Sequence, residues 1–425
     1  EASSRVIMKT HYPCIIVGGG QAGLSASYCL KQLGIENVIF EKHRIAHAWR
    51  SQRWDAFCLV TPNWQCLLPG FEYAGAAPHG FMPKQDIVKY IEAYAESFDA
   101  PIFEGVEVKR VGRLPDMRTY SVSTSMGAFT ADSVVIAAGS YHASKIPTVA
   151  KELPSRVTQI HSSEYKNPDT IPDGAVLVVG SGQSGCQIAE DLHFAGRDVY
   201  LSVGSAPRSP RQYRGKDVVD WLDLMGYYDT PIDTFDDPVQ VRKKTNHYLT
   251  GRDGGREINL RQLAQEGMKL AGRLQDIRNG AIAFKSDLHE NLDKADAVAN
   301  SIKSSIDTYI AESGIDAPEA PSEDAIAPPE PVISLDWETM NLQSVIWCTG
   351  FKTNFSWVDV PVCDREGYPK HVRGVTNAAG LYFLGLPWLH TWGSGRMSGV
   401  GRDARYVADA IATHLAKAAG AALAS

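Results

Sequence analysis

The fold is decided by the stretch Cys14–Gly23, which reads CIIVGGGQAG. Its four leading apolar residues predict a short buried strand, and the G-x-G-x-x-G pattern predicts a tight turn into a helix at Leu24–Leu33, which Gly34 ends. A second strand, Val38–Phe40, follows and ends at Glu41. These elements form one complete β-α-β unit of the kind that binds dinucleotides.

Each part of this first loop has a role in holding a dinucleotide. Gly18 permits the tight turn, Gly20 lets a pyrophosphate approach the backbone, and Gly23 lets the helix pack closely on the strand. The N-terminus of the helix stabilises the negative charge of the phosphates. Since the Glu41 carboxylate can accept hydrogen bonds from both ribose hydroxyls, the unit predicts an FAD site. The alternative is a glycine turn without a ligand.

The same plan recurs in the middle of the chain. Strand Val176–Val179, loop Gly180–Gly185, helix Cys186–Phe194 and strand Val199–Val203 follow one another in the same order. Both loops also place a Gln directly after the second required glycine. Two such units predict an α/β protein with two Rossmann-like dinucleotide-binding domains.

The second unit differs from the first beyond its second strand. No acid stands there, and small residues are followed by arginines. An acid would repel a 2′-phosphate, whereas hydroxyls and guanidinium groups bind one, so this unit predicts an NADPH site. The alternative is an arginine-rich surface loop. The residues concerned are Ser202, Gly204, Ser205, Arg208, Arg211 and Arg214.

The composition is that of a two-domain globular protein, with 425 residues of which 44% are hydrophobic and 21% charged. The net charge of −7 argues against nucleic acid as a partner. The longest apolar runs have the length of strands, which argues against a membrane span. Residues Glu1–Thr10 lack the apolar segment of a secretory signal, so we expect a leader and a cytoplasmic location.

The seven cysteines are scattered and form no C-x-x-C pair. This argues against a disulfide framework, against a zinc or other metal site, and against the redox dithiol of thioredoxin reductases. Cys58 and Cys66 are the alternative thiol pair, and the interpretation we prefer is that both are buried packing residues.

These patterns divide the chain into an FAD-binding domain formed by residues 1–165 and 345–425 and an NADPH-binding domain inserted at 170–344. Residues 229–341 of the inserted domain form a helical and loop insertion. The further elements predicted are a helix at His289–Gly314, an exposed proline-rich loop at Ala317–Pro331, strands at Ser344–Cys348 and Leu381–Leu384, a glycine-rich loop at Gly393–Gly401 and a final helix at Arg402–Ala418.

Between the two glycine loops lies His161–Lys166, which reads HSSEYK. With the two loops, this segment resembles the H-x-x-x-[YF] signature of the flavin-containing monooxygenases, within the class B flavoprotein monooxygenases. Baeyer–Villiger enzymes typically have Trp at the position of Tyr165, which favours the flavin-containing branch. Ser155 and Val157 depart from the Phe and Gly of the family signature, so only its second half matches.

Other segments extend the resemblance over nearly the whole chain. Ala137–Gly139 and Cys348–Gly350 are similar to the family's two A-T-G-like strand ends, where the chain crosses between the domains. Ala48–Arg50 stands where the family has an element lining the FAD, and Gly385 begins the segment that returns to the flavin. Val60–Gly70 and Gly385–Asp403 also resemble a bacterial flavoprotein subfamily encoded near nitrilases.

The motifs and the resemblance together name the candidate site residues. The resemblance implies Asn63 as an amide near the flavin and nicotinamide. His390 and Trp392 are further catalytic candidates, with a packed His–Trp pair as the alternative. The candidates for cofactor binding are Gly18, Gly20, Gln21, Ala22, Gly23, Glu41, Lys42, Trp49, Arg50, Val108, Ala138, Gly139, Gly180, Gly182, Gln183, Ser184, Gly185, Ser202, Arg208, Arg211, Arg214, Thr349 and Gly350.

The resemblance implies an FAD- and NADPH-dependent monooxygenase that transfers one oxygen atom of O₂ to a small organic substrate through a C4a-(hydro)peroxyflavin, with N- or S-oxygenation favoured. An NADPH-dependent reductase without oxygen transfer, a Baeyer–Villiger enzyme and a flavin-binding sensor are the alternatives. The partners expected are the substrate and O₂, with a homodimer as a further hypothesis.

Overall fold

The structure is a computed structural model that describes residues 9–424, so residues 1–8 of the predicted leader lie outside the described residues. Within the described range the α-helices are α1 (Gln21–Gln32), α2 (His47–Ser51), α3 (Lys84–Ser97), α4 (Gln183–Phe194), α5 (Val218–Leu224), α6 (Pro238–Lys243), α7 (Leu260–Gln265), α8 (Leu288–Ser313) and α9 (Val400–Ala424).

The strands of the same range form two large sheets and several small ones. They are β1 (His11–Val17), β2 (Asn37–Glu41), β3 (Leu67–Leu68), β4 (Phe71–Glu72), β5 (Ile102–Glu104), β6 (Val108–Arg113), β7 (Tyr120–Thr124), β8 (Gly127–Ile136), β9 (Ala143–Ser144), β10 (Thr158–His161), β11 (Ala175–Val179), β12 (Val199–Ser202), β13 (Gln212–Tyr213), β14 (Lys216–Asp217), β15 (Lys269–Ala271), β16 (Leu274–Arg278), β17 (Ala281–Phe284), β18 (Ser334–Asp336), β19 (Leu342–Trp347), β20 (Phe351–Lys352), β21 (His371–Val372), β22 (Val375–Thr376) and β23 (Leu381–Phe383).

The first sheet has a parallel centre in the order β23-β8-β1-β2-β5, with the hairpin β6-β7 paired to β8 and the strands β21-β22 at the β23 edge. Helix α1 packs between this sheet and α9. Its side chains Leu24, Ala26 and Leu30 are fully or almost fully buried. Burial of this apolar face, rather than helix propensity, stabilises a helix of 12 residues.

The second sheet is entirely parallel, in the order β10-β19-β11-β12-β15. Its centre β11, Ala175–Val179, is buried at every residue, as a strand covered on both faces must be. A small antiparallel sheet, β16-β17-β18, and the long helix α8 complete this half of the molecule. The two parallel sheets confirm the predicted fold class.

Two strands near the predicted domain boundaries at 165/170 and 344/345 belong to the second sheet, and the boundaries themselves stay a prediction. Strands β10 and β19 lie in the second sheet, because β19 pairs with both β10 and β11. The predicted insertion at 229–341 also contributes to that sheet, since β15 pairs with β12. A short strand such as Lys269–Ala271 has too little alternation to be recognised from sequence alone.

Helices α1 and α4 each begin at the Gln that follows the second required glycine, three residues before the predicted start. The last residues of each glycine loop therefore already form the first helical turn. Helix α8 confirms the helix predicted at His289–Gly314, and 317–331 is largely exposed and without helix, as predicted. Among the described residues, no helix has the length and apolarity needed to cross a membrane.

Candidate cofactor and active site

One cleft of about 2010 Å³ runs from the first glycine loop to the second. Its wall includes Gly18–Ala22 at one end and Gly182–Gly185 at the other. Between them lie the two segments in which the chain crosses between the domains, Ala137–His142 and Cys348–Phe351. Both loops stand at the carboxyl ends of central parallel strands, where ligands bind in folds of this kind.

The cleft carries an excess of positive charge, although the whole chain is acidic. Eight Lys and Arg side chains line it against four Asp and Glu side chains. Such a local excess attracts polyanions such as dinucleotides. The basic residues are Lys42, Arg53, Lys109, Arg242, Lys243, Lys244, Arg365 and Arg396.

The first loop leaves room only where a ligand needs it. A Cβ added at Gly23 would lie 1.8 Å from the Gly18 carbonyl oxygen, and one added at Gly18 would lie 2.3 Å from the Ala137 carbonyl oxygen. A Cβ at Gly20 would meet no atom within 4 Å. Gly18 and Gly23 thus serve chain packing, whereas Gly20 borders open space that fits a pyrophosphate.

Glu41 closes the first loop. One carboxylate oxygen accepts a hydrogen bond from the Gly19 N–H at 2.7 Å and the other accepts from the His43 N–H at 2.9 Å. Its carboxylate is fixed at the cleft wall and still has lone pairs for two ribose hydroxyls. These residues fit the adenosine and pyrophosphate of FAD.

The second loop repeats the packing of the first. A Cβ at Gly185 would lie 1.8 Å from the Gly180 carbonyl oxygen, and Gly180 itself lies against the Cys348 carbonyl. At Gly182 the nearest atom is Thr245 Cγ2, at 3.6 Å from the added Cβ. The second loop therefore also fits a pyrophosphate, with the exposed segment Lys243–Asn246 beside it.

The strand register identifies the residue that replaces Glu41 in the second unit. Val17 pairs with Phe40, and Val179 pairs with Ser202, so Val203 is the counterpart of Glu41. Ser202 is buried, donates to the Gly272 carbonyl oxygen at 2.8 Å and does not line the cleft. The position of the acid thus lies one residue after Ser202, and a cofactor contact of Ser202 stays a prediction.

The three arginines predicted for the 2′-phosphate are not among the residues that line the cleft. Arg208 binds Asp296 and Glu257, at 2.7 and 3.3 Å, and Arg214 binds Asp307 and the Pro318 carbonyl oxygen, both at 2.9 Å. Arg211 is 1% exposed and forms two hydrogen bonds with Asp217. Arg208 and Arg214 are bonded within the second domain, while Arg211 also donates to the Val60 carbonyl oxygen of the first domain at 2.7 Å. Binding of the 2′-phosphate by any of the three stays a prediction.

Arg273 is a further arginine near the end of β12, although it too is not among the residues that line the cleft. Its Nε lies 3.9 Å from the position of a Cβ added at Gly204, directly beyond the end of β12. Its Nε is 4.0 Å from the nearest Asp287 oxygen, and its side chain is 45% exposed. Ser205 is exposed on the cleft wall beside it. Recognition of β15 as a neighbour of β12 would have indicated Arg273, which follows that strand.

The HSSEYK segment connects the domains. The buried His161 ring donates from Nε2 to the Gly350 carbonyl oxygen at 2.8 Å, and Ser163 Oγ donates to Nδ1 at 3.0 Å. The buried Tyr165 hydroxyl donates to Asp191 on α4 at 2.7 Å, and Lys166 Nζ donates to the Ser51 carbonyl oxygen. Burial lowers the pKa of His161, which keeps the ring neutral. The segment positions the second crossing rather than reacting.

The structure does not bring the three catalytic candidates to the cleft wall. Asn63 Nδ2 donates to the Ala77 carbonyl oxygen at 2.9 Å. The Trp392 ring packs on Tyr228 at 4.5 Å, and His390 lies beside it in sequence, bonded through its backbone to Ile232 and Ser394. These contacts fit the alternative of packed residues for His390 and Trp392, and a catalytic role of the three candidates stays a prediction.

Gln65, two residues after Asn63, is the amide that faces the cleft. Its side chain is 3% exposed and lines the wall, and its Oε1 is buried without a hydrogen-bond partner. A buried amide group without a partner is costly unless a ligand completes it. The alignment of this segment with the family can shift by two residues. Sequence comparison alone therefore could not decide whether Asn63 or Gln65 is the amide at the cleft.

The other cofactor candidates divide into three groups. Arg50 forms an ion pair with Glu92 on α3 and is not among the residues that line the cleft, so its contact with the cofactor stays a prediction. Gly23 and Gly180 act through packing. The cleft wall includes Gly18, Gly20, Gln21, Ala22, Glu41, Lys42, Trp49, Val108, Ala138, Gly139, Gly182, Gln183, Ser184, Gly185, Thr349 and Gly350.

All seven cysteines are free thiols, and two of them, Cys66 and Cys348, line the cleft. Burial raises the pKa of Cys66 to about 12 and holds the pKa of Cys348 above its usual range, so neither is a reactive thiolate. Within residues 9–424, no group of three or more His, Cys, Asp and Glu is placed to hold a metal ion.

The family of pyridine nucleotide-disulphide oxidoreductases matches residues 15–223. A CzcO-like oxidoreductase of Geobacillus kaustophilus is 33% identical over 94% of this chain and 98% of its own, and CzcO of Bacillus subtilis is 30% identical over 93% and 98%. The flavin-containing monooxygenase of Stenotrophomonas maltophilia superposes with a TM-score of 0.64 over 96% of this chain and 100% of its own, at 17% identity. The chain has the predicted fold of the flavin-containing monooxygenases, with sites for FAD and NADP. It therefore belongs to the CzcO-like family of flavin-dependent oxidoreductases.

Proposed function

We propose that this chain is a single-component monooxygenase that uses FAD, NADPH and O₂ to transfer one oxygen atom to a small organic substrate. The observation that carries the proposal is the single cleft into which both glycine loops open. A second observation supports it: the cysteines on that wall are buried thiols with raised pKa values, so they are poorly suited to disulfide reduction. An amine nitrogen or a thioether sulfur is the acceptor that the resemblance favours.

When bound, FAD supplies hydride acceptance from NADPH and reactivity toward O₂, which side chains do not provide. The chain supplies binding and orientation. The open face of Gly20 and the N-terminus of α1 receive the FAD pyrophosphate, and Glu41 receives the adenosine ribose. Gly182 and the N-terminus of α4 receive the NADPH pyrophosphate, and Ser205 and Arg273 receive its 2′-phosphate.

We assign to Gln65 the task of hydrogen-bonding the reacting centre. Gln65 Oε1 and Asn63 Oδ1 are both buried without a hydrogen-bond partner, but of the two residues Gln65 lines the cleft, and Asn63 Nδ2 donates to the Ala77 carbonyl oxygen. An amide held in a site that excludes water retains its full hydrogen-bonding capacity for a ligand. Gln65 thus orients the reacting groups and limits the access of water to them.

The test is turnover under ¹⁸O₂ with NADPH and a panel of amines, thioethers, aldehydes and oximes. We expect at least one product to carry one labelled oxygen atom, with less hydrogen peroxide formed than NADPH consumed. Stoichiometric peroxide with every member of the panel, and no labelled product, would contradict oxygen transfer and leave an NADPH-dependent reductase.

The variant Gln65→Met sharpens this test because it keeps the side-chain length and removes the amide. We expect the peroxide yield per NADPH to rise and the rate of flavin reduction to change by no more than about tenfold, since a single lost hydrogen bond at the reacting centre is worth about 0.5–1.5 kcal/mol. Asn63→Met is the matched control. It should lower stability and leave the peroxide yield unchanged, and the reverse pattern would return the role to Asn63.

A further inference from the structure

None of the four arginines on the cleft wall has a carboxylate partner among residues 9–424, and two of them, Arg53 and Arg396, are desolvated by the protein. Arg53 is the first: its Nη1 donates to the Gln52 carbonyl oxygen at 3.2 Å, and its guanidinium carbon lies 5.2 Å from the centre of the Trp49 ring and 5.5 Å from that of Phe57. Desolvation by the surrounding residues lowers its pKa. A desolvated cation that lacks an anion is costly, which indicates that a ligand supplies one.

Arg396 is the second. Its Nη1 donates to the Trp392 carbonyl oxygen at 2.6 Å and its Nη2 to the Asn246 amide oxygen at 2.9 Å, while its guanidinium carbon lies 3.8 Å from the centre of the Trp392 ring. Its backbone belongs to the segment before α9, and Asn246 belongs to the second domain. The guanidinium is therefore held between the two domains, where desolvation also lowers its pKa.

The two guanidinium groups line the same cleft. Both lie within electrostatic range of the Tyr141 hydroxyl. Tyr141 follows the first interdomain crossing, and its ring stacks at 4.8 Å on Phe351, which follows the second. Tyr141 and Phe351 line the same cleft as the two arginines.

Apolar rings stand beside these cations. Trp388 is 9% exposed on the cleft wall and has a φ of +53°, a conformation that costs a bulky residue of order 1–3 kcal/mol. Its ring is held edge-on to Tyr227 and Phe235. Phe57 lines the same wall. A pair of cations next to fixed rings suits an anionic group on an apolar body.

We propose that Arg53 and Arg396 bind the carboxylate of the organic substrate, so that the enzyme acts on an organic acid with an apolar body. The proposal rests on the oxygen-transfer function proposed above and adds the class of substrate. Guanidinium groups bind carboxylates through paired, charge-assisted hydrogen bonds. The cofactor phosphates have separate receptors at the N-termini of α1 and α4 and at Arg273.

The test is calorimetric binding of phenylacetate and of phenylacetamide to the oxidised enzyme loaded with FAD and NADP⁺. The two probes differ only in charge and share one apolar body. We expect phenylacetate to bind about tenfold to a hundredfold more tightly, as charge-assisted hydrogen bonds imply. Arg53→Met and Arg396→Met should each reduce that ratio by about tenfold. Arg365→Met, an exposed arginine on the same cleft wall, is the control and should keep the ratio.

Equal affinity of the wild-type enzyme for both probes would overturn the proposal, and so would an unchanged ratio in both Met variants. Loss of FAD or of NADP⁺ affinity in these variants would assign the arginines to cofactor phosphates and would also overturn it. Because binding is measured without turnover, this test can fail while labelled oxygen is still transferred to a neutral substrate, and it can succeed where no oxygen is transferred.

Discussion

The two glycine loops share one backbone plan and differ in the residue directly after the second strand of each unit. In the first, the Glu41 carboxylate accepts the Gly19 N–H, so an acid is fixed beside the loop. In the second, Val203 stands at that position and the Gly204 N–H donates instead to Ser181 Oγ at 2.9 Å. One loop is thus built for ribose hydroxyls and the other leaves room for a phosphate. A one-residue difference at the end of a strand separates two cofactor preferences on the same scaffold.

The largest effects are expected when a methyl group is added at two glycines of the first loop, because this tests the roles assigned to them directly. We expect Gly20→Ala to leave the thermal stability of the cofactor-free protein nearly unchanged and to remove most of the bound FAD, because its Cβ fills the pyrophosphate space. Gly23→Ala should instead destabilise the fold by about 1–3 kcal/mol or more, because its Cβ would overlap the Gly18 carbonyl.

The readouts are the FAD absorbance retained after gel filtration and the melting temperature of the cofactor-free protein. The corresponding variants Gly182→Ala and Gly185→Ala should repeat the pattern for NADPH binding. Full FAD content in Gly20→Ala would show that the pyrophosphate does not lie against Gly20, and the assignment of the first loop would be wrong.

The coenzyme preference of the second loop is the next test. We expect Arg273→Met to lower kcat/KM for NADPH about tenfold to a hundredfold, the value of one charge-assisted phosphate contact, with little change for NADH. Steady-state kinetics with both coenzymes measures the effect. Arg214→Met is the matched control, since Arg214 is bonded to Asp307 and should affect both coenzymes equally. A selective loss in Arg214→Met would support the prediction made from the sequence.

The sequence predicted the parts of this site that depend on local pattern. Both loops, both second strands and Glu41 follow from glycine spacing and apolar runs, and the structure has them in register. The arginines could not be assigned that way, because Asp296, Asp217 and Asp307, which bind them, are contributed by other elements. Gln65 was missed since the short 3₁₀ turn Asn63–Gln65 decides which amide faces the cleft.

A third test concerns the hydrogen bond between Tyr165 and Asp191 in the second unit. Tyr165 joins the interdomain segment to α4 through Asp191, and α1 has no such partner in the described hydrogen bonds. We expect Tyr165→Phe to lower the free energy of unfolding by about 1–2 kcal/mol, because it leaves a buried carboxylate oxygen without its hydroxyl donor. Urea unfolding measures this. An unchanged stability together with altered turnover would argue for a chemical role of Tyr165.

The smallest effect expected is a pH dependence of the free energy of unfolding through His161, which is bonded to the second crossing at Gly350. Burial lowers the pKa of His161 from its ordinary value of 6.5, so the unfolded chain binds the proton more readily than the folded one. Stability should therefore decrease as the pH falls below 6.5 and level off below the lowered pKa. Urea unfolding at about pH 8 and about pH 5 should show a smaller difference for His161→Gln than for the wild type. An equal difference in both proteins would exclude His161 as its source.

The central claim is that the two loops hold their cofactors in one cleft, so that hydride passes directly from coenzyme to flavin. Anaerobic rapid mixing of the FAD-loaded protein with NADPH tests this most directly. We predict that the visible absorbance of the flavin is lost in a single fast phase, that NADPH deuterated at the transferred position slows this phase, and that Gly182→Ala slows it by weakening coenzyme binding. A flavin that stays oxidised in the presence of saturating NADPH would contradict the account.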